Sequence, residues 1–323
     1  MTTDFPAADL AHEAAPVPTP TITVWEGESL FSRLIRTVIL PLIGSKQVLR
    51  DVDRHARQLA RTRLKGETPP PARVSRRYKI TEKTFAGAKA LFVEPKRGTA
   101  KRTIIYIHGG AYVAHLMYHQ WHLVEGLASW NDARVIVPHY PLAPEHDWRP
   151  AFAMMMALYE SVLSEVGADQ ITLTGDSAGG GFALSFAQLL RDEGQPLPAK
   201  LVLFSPWLDL REDNPAQAAL DCDDPMLARP VLVWSAQKWA GETPLDDPRI
   251  SPVLGDIRGL PPTLVFSGTA DLLHSDSLDL IARAQRANCA MRLVIGERMT
   301  HAWSVLTTRE AKRLHAETAA FLR

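Results

Sequence analysis

The sequence predicts an α/β fold in which helices cover both faces of a doubly wound, mostly parallel sheet. Six short apolar runs have the length of β-strands, and helix-length stretches separate them: TIIYIHGG, ARVIVPHY, QITLTGDS, AKLVLFSP, PTLVFSGT and MRLVIGER. Several runs are almost continuously apolar, as strands buried in a parallel sheet are. Each run ends in polar or glycine-rich residues, and ligand sites of such sheets form outside the carboxyl ends of the strands. We therefore search for function at these ends.

Composition narrows the function classes. The chain has 323 residues, 46% of them hydrophobic, and its 36 Lys and Arg residues balance 36 Asp and Glu residues. Without an excess of positive charge, no nucleic-acid partner is expected. Two cysteines, Cys222 and Cys289, are too few for a disulfide framework. We predict that both are reduced thiols in a cytoplasmic protein.

The amino-terminal quarter is predicted to be helical after a disordered start. Residues 1–20 are rich in Ala and Pro and lack the basic start and apolar stretch of a secretory signal. The stretch LFSRLIRTVILPLIG, residues 30–44, has helical spacing, but it contains Arg33 and Arg36 and is too short to span a bilayer. It is either an amphipathic helix packed on the domain or a mobile flap over an apolar cavity. The basic run that follows, residues 50–79, indicates a solvated helical face.

Ser177 lies where the run ITLTGD gives way to a helix-like stretch. A serine at this position can simply cap a helix. The small residues Gly175 and Gly179 on either side indicate more, because they let strand and helix crowd together around a strained, exposed turn. The pattern G-x-S-x-G is typical of a nucleophile elbow.

A serine nucleophile needs a base and a group that orients the base. His301 follows the run MRLVI, and Asp271 follows the run PTLVF. The chain order Ser, Asp, His and the strand-end positions favour an α/β-hydrolase triad over a structural histidine. Asp276 is a rival orienting group, but it lies deeper in the expected next helix, so we favour Asp271.

The loop HGGAY follows the first apolar run of the sheet. It is either a simple glycine turn or a source of N–H donors for the oxyanion of a tetrahedral intermediate. Next to an elbow the second interpretation is favoured, and the predicted donors are Gly109, Gly110, Ala111 and Ala178, the last of which follows the nucleophile. His108 is expected to hold this loop by a hydrogen bond.

Three histidines after this loop, His115, His119 and His122, have a spacing that would align them on one helical face. A zinc site would use such an alignment, but no carboxylate or thiol joins the three closely. We therefore expect these side chains to line or support the pocket, and we predict no metal site.

The ordered motifs HGGAY, YPLAPEH, GDSAGGG, SPWLDL, Asp271 followed by Leu-Leu, and MTHAW resemble the bacterial hormone-sensitive-lipase family of α/β-hydrolase esterases. The resemblance covers roughly residues 70–323. It implies that Ser177 is the nucleophile, His301 the general base and acid, and Asp271 its orienting group, with no cofactor. Where the family usually has a third glycine this chain has Ala111, whose Cβ could narrow the acyl pocket.

The resemblance also implies a domain organisation. Residues 1–75 would form an amino-terminal helical cap segment, and residues 76–323 an α/β-hydrolase domain with a cap insertion at about 208–250. The expected partner is a small-molecule ester with a short or medium acyl chain. The chain is expected to contain no integral membrane segment. A homodimer is possible. Two alternatives remain: a small amide or peptide hydrolase with the same triad, and an inactive ligand-binding homologue.

Overall fold

The structure is a computed structural model that describes residues 19–323. Within this range one sheet contains the strands β1 (Thr21–Trp25), β2 (Tyr78–Phe85), β3 (Ala88–Pro95), β4 (Arg102–Ile107), β5 (Ala133–Pro138), β6 (Ile171–Asp176), β7 (Lys200–Phe204), β8 (Thr263–Ala270) and β9 (Met291–Thr300). The strand order is β1-β9-β8-β7-β6-β4-β5-β3-β2. The pairs β2–β3 and β3–β5 are antiparallel, and the other neighbours are parallel.

Helices cover both faces of this sheet. In residues 19–323 they are α1 (Leu30–Leu34), α2 (Leu40–Ile43), α3 (Ser45–Arg50), α4 (Val52–Arg63), α5 (Ala72–Arg77), α6 (Gln120–Asn131), α7 (Trp148–Val166), α8 (Ala178–Asp192), α9 (Gln217–Asp223), α10 (Arg229–Ala240), α11 (His274–Ala287) and α12 (Arg309–Leu322). A π-helical turn, Ile35–Ile39, joins α1 to α2. Short 3₁₀ turns lie at Ala168–Gln170, Pro252–Leu254 and Trp303–Val305.

The core consists of two apolar layers, one on each face of the sheet. In β4, Ile105 and Ile107 pack with α7 and α8, whereas Ile104 and Tyr106 pack with α6 and α12. Successive side chains of a strand point to opposite faces, so a strand buried on both sides is apolar at every position. The continuous apolar runs in the sequence have this cause.

All six predicted strands are present, and the predicted α/β-hydrolase fold with its mostly parallel sheet is confirmed. The sequence analysis missed β1, β2 and β3. In β1 only Trp25 is buried, and β2 is largely exposed beyond Tyr78, so neither strand has a clear apolar pattern. Because β4, β6, β8 and β9 run parallel, the residues after their carboxyl ends meet at one edge of the sheet.

The segment predicted as a helical cap contains the helices α1 to α5, and it also contains β1, which pairs with β9 and so belongs to the sheet. Its expected disordered start lies largely outside the described residues. Within the predicted insertion, α10 packs against α3 and α4. None of the helices in residues 19–323 is long and apolar enough to cross a bilayer.

Residues 30–43 are helical, as their spacing predicts, but they bury little of their apolar surface. Ser32 and Ile35 are buried, whereas six apolar side chains are exposed: Leu30, Phe31, Leu34, Val38, Leu42 and Ile43. The helix is attached to α12 because the hydroxyl groups of Ser29 and Ser32 donate to Glu310 Oε2 at 3.0 and 2.7 Å. These contacts attach the start of the helix to α12, while most of its apolar face stays exposed.

Candidate active site

Ser177 occupies a sharp turn between β6 and α8. Its φ of +55° lies in a region that side chains rarely adopt, so the surrounding backbone must hold it there. Its N–H donates to Phe204 O at 2.9 Å, and its C=O accepts from Trp207 N at 2.9 Å. A Cβ on Gly175 would lie 2.2 Å from Gly179 O, and one on Gly179 would lie 2.0 Å from Ile107 O. The glycines beside the serine are therefore required by the close approach of strand and helix.

The structure brings Ser177, His301 and Asp271 together in one chain of contacts. Ser177 Oγ lies 2.9 Å from His301 Nε2. On the other side of the ring, His301 Nδ1 lies 3.0 and 3.1 Å from the two carboxylate oxygens of Asp271. Asp271 is completely buried and His301 nearly so, while Ser177 is half-buried. With Nδ1–H donating to Asp271, the lone pair of Nε2 faces the serine hydroxyl.

The electrostatic surroundings favour a protonated form of His301. Burial lowers the pKa of the imidazole, but the charge and hydrogen bond of Asp271, together with the charges of Asp224 and Asp176, outweigh burial and raise this pKa above its ordinary value. A base with a raised pKa accepts a proton more readily once it is neutral. The ring can therefore accept the serine proton and hold the resulting charge.

Asp276, the rival orienting group, faces away from His301. Its Oδ2 accepts hydrogen bonds from Leu208 N at 2.9 Å and Asp209 N at 3.0 Å. Burial raises the pKa of Asp276 well above its usual value, and the charge of Glu212 adds to this effect. The position of Asp276 on α11 directs it toward the start of the insertion, so Asp271 is the carboxylate in contact with the imidazole.

The predicted oxyanion donors differ in availability. Gly109 N–H donates to Asp176 Oδ1 at 2.9 Å, so the expectation that Gly109 provides an oxyanion donor is wrong. Within residues 19–323 the N–H groups of Gly110, Ala111 and Ala178 have no protein acceptor. Ala178 is the first residue of α8, where a backbone N–H has no partner within the helix. Three of the four predicted donors thus have an N–H group without a protein acceptor in the described part of the chain.

Ala111 adopts a backbone conformation suited to glycine. Its φ is +53°, and the following Tyr112 has a φ of +62°. A left-handed conformation costs an ordinary residue about 1–2 kcal/mol. Ala111 is half-buried and packs against the apolar cluster of Leu59, Val113 and Ala143.

Buried polar groups support this loop from behind. His108 Nδ1–H donates to Gly109 O at 2.8 Å, as the sequence analysis expected. Burial lowers the pKa of His108 to about 4, so the ring is neutral at neutral pH. Asp176, which the sequence analysis did not identify, also accepts from Tyr106 Oη at 2.6 Å and from Gln120 Nε2 at 3.0 Å. It lies one residue before Ser177 and links the elbow to the oxyanion loop.

The three histidines considered as a zinc site do not converge. His115 Nδ1 lies 2.8 Å from Glu67 Oε1, and His122 Nδ1 lies 3.0 Å from Arg73 Nη2. In residues 19–323 no group of three or more His, Cys, Asp or Glu side chains is placed to hold a metal ion. Cys222 is exposed and Cys289 partly buried, and both are free thiols.

Asp224 is a second buried carboxylate close to the same histidine, and no sequence motif had indicated it. It precedes Pro225 in the insertion, between α9 and α10. Its Oδ2 accepts from Leu272 N at 2.8 Å, directly beside Asp271. No pattern within the sequence indicates this contact, because 48 residues separate the two partners.

A mostly apolar groove of about 430 Å³ lies between α4 and α10. Its lining includes Leu59, Ala60 and Trp234, and Leu59 also contacts the cluster that contains Ala111. Leu59 thus belongs both to the lining of the groove and to the cluster beside Ala111.

Comparison with known proteins relates this arrangement to enzymes of known type. A family model described as alpha/beta hydrolase fold matches residues 104–305. An acetyl-hydrolase of Streptomyces hygroscopicus is 33% identical over 245 residues, which cover 74% of this chain and 81% of that enzyme. A triacylglycerol lipase of Mycobacterium tuberculosis is 31% identical over 245 residues, or 75% of this chain and 51% of the lipase.

A crystal structure of an esterase from the bacterial hormone-sensitive lipase family superposes with a TM-score of 0.78 at 26% identity. The superposition covers 92% of this chain and 99% of that esterase. Over most of its length, this chain is therefore similar to enzymes named for the hydrolysis of esters.

Proposed function

Because this chain belongs to the bacterial hormone-sensitive-lipase family of α/β-hydrolase esterases, we propose that it hydrolyses carboxylic esters through an acyl-enzyme on Ser177. Family membership makes it an esterase or lipase-type hydrolase. The roles of Ser177, His301 and Asp271 are the proposal. The observation that carries it is the contact of 2.9 Å between Ser177 Oγ and His301 Nε2, with Asp271 on the far side of the ring.

The first half of the reaction transfers the acyl group to the serine. His301 Nε2 takes the proton of Ser177 as Oγ forms a bond to the ester carbonyl carbon, and the carbonyl oxygen becomes an oxyanion. Asp271 holds the ring and stabilises the imidazolium. The intermediate then breaks its bond to the alkoxy oxygen, which takes the proton from Nε2 and leaves as the alcohol.

The second half returns the enzyme to its starting state. Water gives a proton to His301 Nε2 and attacks the acyl-enzyme carbonyl. The tetrahedral intermediate releases the carboxylic acid, and Oγ regains its proton. In both halves we assign the N–H groups of Gly110, Ala111 and Ala178 as donors to the oxyanion, since each faces no protein acceptor within residues 19–323.

Replacement of the nucleophile tests this mechanism. We expect Ser177→Ala to remain folded and to lose several orders of magnitude in kcat on p-nitrophenyl esters, because only binding and oxyanion stabilisation remain. Ser185→Ala, at another buried serine on α8, is the matched control and should retain turnover. Undiminished turnover in folded Ser177→Ala would contradict the mechanism. A matched pair of ester and amide substrates would detect amide hydrolysis, which we expect to be slower.

We propose that the preferred acyl chains are short to medium. Ala111 places a methyl group in the oxyanion loop, and Leu59 and Val113 pack behind it, so the space beside the reacting carbonyl is restricted. One relative is named acetyl-hydrolase, although another is named triacylglycerol lipase. We further propose that α1 to α5 and the insertion, whose α10 packs on α3 and α4, form a cap that encloses the apolar part of the substrate.

A series of p-nitrophenyl esters of increasing chain length tests this preference. Leu59→Ala should connect the groove to the oxyanion loop and shift the optimum toward longer chains. Leu278→Ala, at an exposed leucine of α11 outside the proposed cap, is the control and should leave the optimum unchanged. An optimum at long chains in the unmodified protein would contradict the proposed preference.

A further inference from the structure

Asp224 is a buried carboxylate that connects the insertion to the turn after β8. Its residue is 1% exposed. Oδ1 accepts from Met226 N at 2.6 Å and from Leu227 N at 2.9 Å, so the carboxylate holds its own loop. Oδ2 reaches the other segment and accepts from Leu272 N at 2.8 Å. Three N–H donors to one carboxylate are an arrangement that favours its charged form.

The bond to Leu272 fixes the backbone that carries Asp271. The peptide unit between Asp271 and Leu272 includes the N–H that Asp224 accepts. The next N–H, that of Leu273, donates to Asp271 Oδ1 at 2.9 Å. Two successive N–H groups of this turn are thus held by two different carboxylates. The direction from which the Asp271 side chain faces His301 therefore depends on Asp224.

Asp224 also contributes charge to the site. The charged groups that face His301 come from three segments: Asp271 after β8, Asp224 in the insertion, and Asp176 at the end of β6. All three favour the imidazolium. The pKa of Asp224 itself is raised, because burial and the charge of Asp271 outweigh His301 and the backbone donors, which lower it. His274, the first residue of α11, is also close to Asp271: burial lowers the pKa of His274, and the charge of Asp271 partly offsets this effect.

Lys46 of α3 holds the same loop from the amino-terminal segment. Its ammonium group donates to Asp224 O at 2.7 Å and also donates to Asp221 O. It lies 3.6 Å from Asp221 Oδ1 as well. The side chain of Lys46 is only 11% exposed. A buried cation on the cap segment therefore contacts the loop whose carboxylate supports Asp271.

We propose that Asp224 is a positioning residue for the catalytic set, holding Asp271 against His301 through Leu272 N–H, and that Lys46 couples the amino-terminal segment to this contact. The inference rests on the proposed esterase mechanism and extends it. Asp224 acts through Asp271 and the field at His301, without touching the substrate.

Substitution of Asp224, with a matched control, tests the proposal on the full chain. Asp224→Asn keeps the shape of the side chain but replaces one carboxylate oxygen with an NH₂ group. The negative charge is therefore lost. We expect kcat to fall about 10–100-fold with little change in KM, by comparison with the loss of outer partners that orient ligands in metal sites. The acid limb of the pH profile of kcat/KM should move to lower pH, because a neutral side chain no longer favours the imidazolium. Asp223→Asn, at the exposed neighbouring position, is the matched control and should retain the wild-type kcat and acid limb.

Two further variants separate position from charge. Asp224→Glu keeps the charge but displaces the carboxylate, so kcat should fall while the acid limb stays at the wild-type pH. It also provides the test if Asp224→Asn does not fold. Lys46→Met should lower kcat in the otherwise unmodified protein. In the Asp224→Asn background it should cause little further decrease in kcat, because we expect the effects of the two substitutions not to add.

The outcomes are distinguishable from failure of the mechanism itself. A wild-type protein without Ser177-dependent esterase activity would overturn the proposed function, and this inference with it. If the wild type is active and Ser177→Ala is not, yet Asp224→Asn shows wild-type kcat and an unshifted acid limb, the positioning role is wrong. A lower melting temperature of Asp224→Asn with unchanged kinetics would also overturn that role, because Asp224 would then support the fold alone.

Discussion

Two groups of buried carboxylates lie near the junction of β8 and α11, and they differ in their partners. The first group, Asp271 and Asp224, is in the field of His301, and Asp271 contacts its ring. The second group, Asp276 and Glu212, faces protein donors at the start of the insertion. Burial is common to both groups. The first group, which has His301 as its partner, is suited to catalysis, and the second group, which accepts from protein N–H donors, is suited to a structural role.

The second group attaches the insertion to the sheet domain. Asp276 accepts from the backbone N–H groups of Leu208 and Asp209, and Glu212 Oε1 accepts from Trp207 Nε1 at 2.6 Å. Burial raises the pKa of Glu212 to about 7. Carboxylates with raised pKa values often mark active sites, but structural networks produce the same effect. Here the raised pKa belongs to the structural group.

The largest expected effect comes from Asp271. Asp271→Asn should reduce kcat by about 10⁴ while the protein remains folded, because an amide cannot stabilise the imidazolium and favours the wrong tautomer of His301. Steady-state kinetics on a p-nitrophenyl ester, with Asp276→Asn as the matched control, measures the difference. Equal losses in the two variants would remove the distinction between the groups.

Asp276 should affect stability far more than turnover. Its Oδ2 accepts both N–H bonds, so Asp276→Asn can keep both through its amide oxygen, whereas Asp276→Ala leaves two buried donors without an acceptor. At about 1–3 kcal/mol for each unsatisfied group, we expect Asp276→Ala to lose roughly 2–6 kcal/mol of unfolding free energy. Denaturant unfolding measures this loss. A stable Asp276→Ala variant with a 10³-fold lower kcat would reverse the two assignments.

Glu212 should make stability depend on pH. Its pKa in the folded state, about 7, is above the ordinary value of a glutamate, so the folded protein binds the proton more tightly than the unfolded chain. This contribution to stability is fully present below the unfolded pKa, about 4.3, and is lost as pH rises to about 7. It amounts to a few kcal/mol at most, on the order of 1.4 kcal/mol per pKa unit.

Glu212→Gln should therefore flatten the dependence of the unfolding free energy on pH over this interval. The unfolding midpoint in urea, measured at several pH values for wild type and variant, gives the result. Parallel curves for the two proteins would show that Glu212 does not titrate in this range.

The smallest effect is expected at the oxyanion loop. Ala111→Gly removes the cost of a left-handed alanine, about 1–2 kcal/mol, but adds the entropy cost of glycine in the unfolded chain, about 0.5–1 kcal/mol. We expect a gain of at most about 1.5 kcal/mol and faster turnover of longer acyl chains. A clear loss of stability would mean that the Ala111 methyl contacts with Leu59 and Val113 outweigh the strain.

The sequence predicted those parts of the molecule in which a short run of residues directly reflects its own burial or packing. The six central strands are apolar because both faces are buried, and Ser177 stands between glycines because strand and helix approach too closely for a Cβ. The sequence did not predict the edge strand β1, because this strand is mostly exposed and pairs with β9, for example Thr21 with Arg292, far along the chain.

The finer arrangement of the site depends on contacts that no short pattern contains. Gly109 and Gly110 are adjacent and chemically identical, yet only one N–H faces Asp176, because the orientation of each peptide plane is set by the folded loop. Asp224 lies in an insertion without a motif, and its role depends on how that loop packs against the turn after β8. The sequence therefore indicated Ser177 and His301 clearly, and contained no signal for Asp224.

The most direct test of the mechanism is to trap the acyl-enzyme. Wild-type protein is mixed with p-nitrophenyl butyrate, quenched in acid during turnover, digested and analysed by mass spectrometry. We predict a butyryl group on the peptide that contains Ser177, at its hydroxyl, and its absence from Ser177→Ala treated in the same way. A butyryl group on another residue that turns over with the reaction, or full activity without any covalent acyl group, would contradict the mechanism.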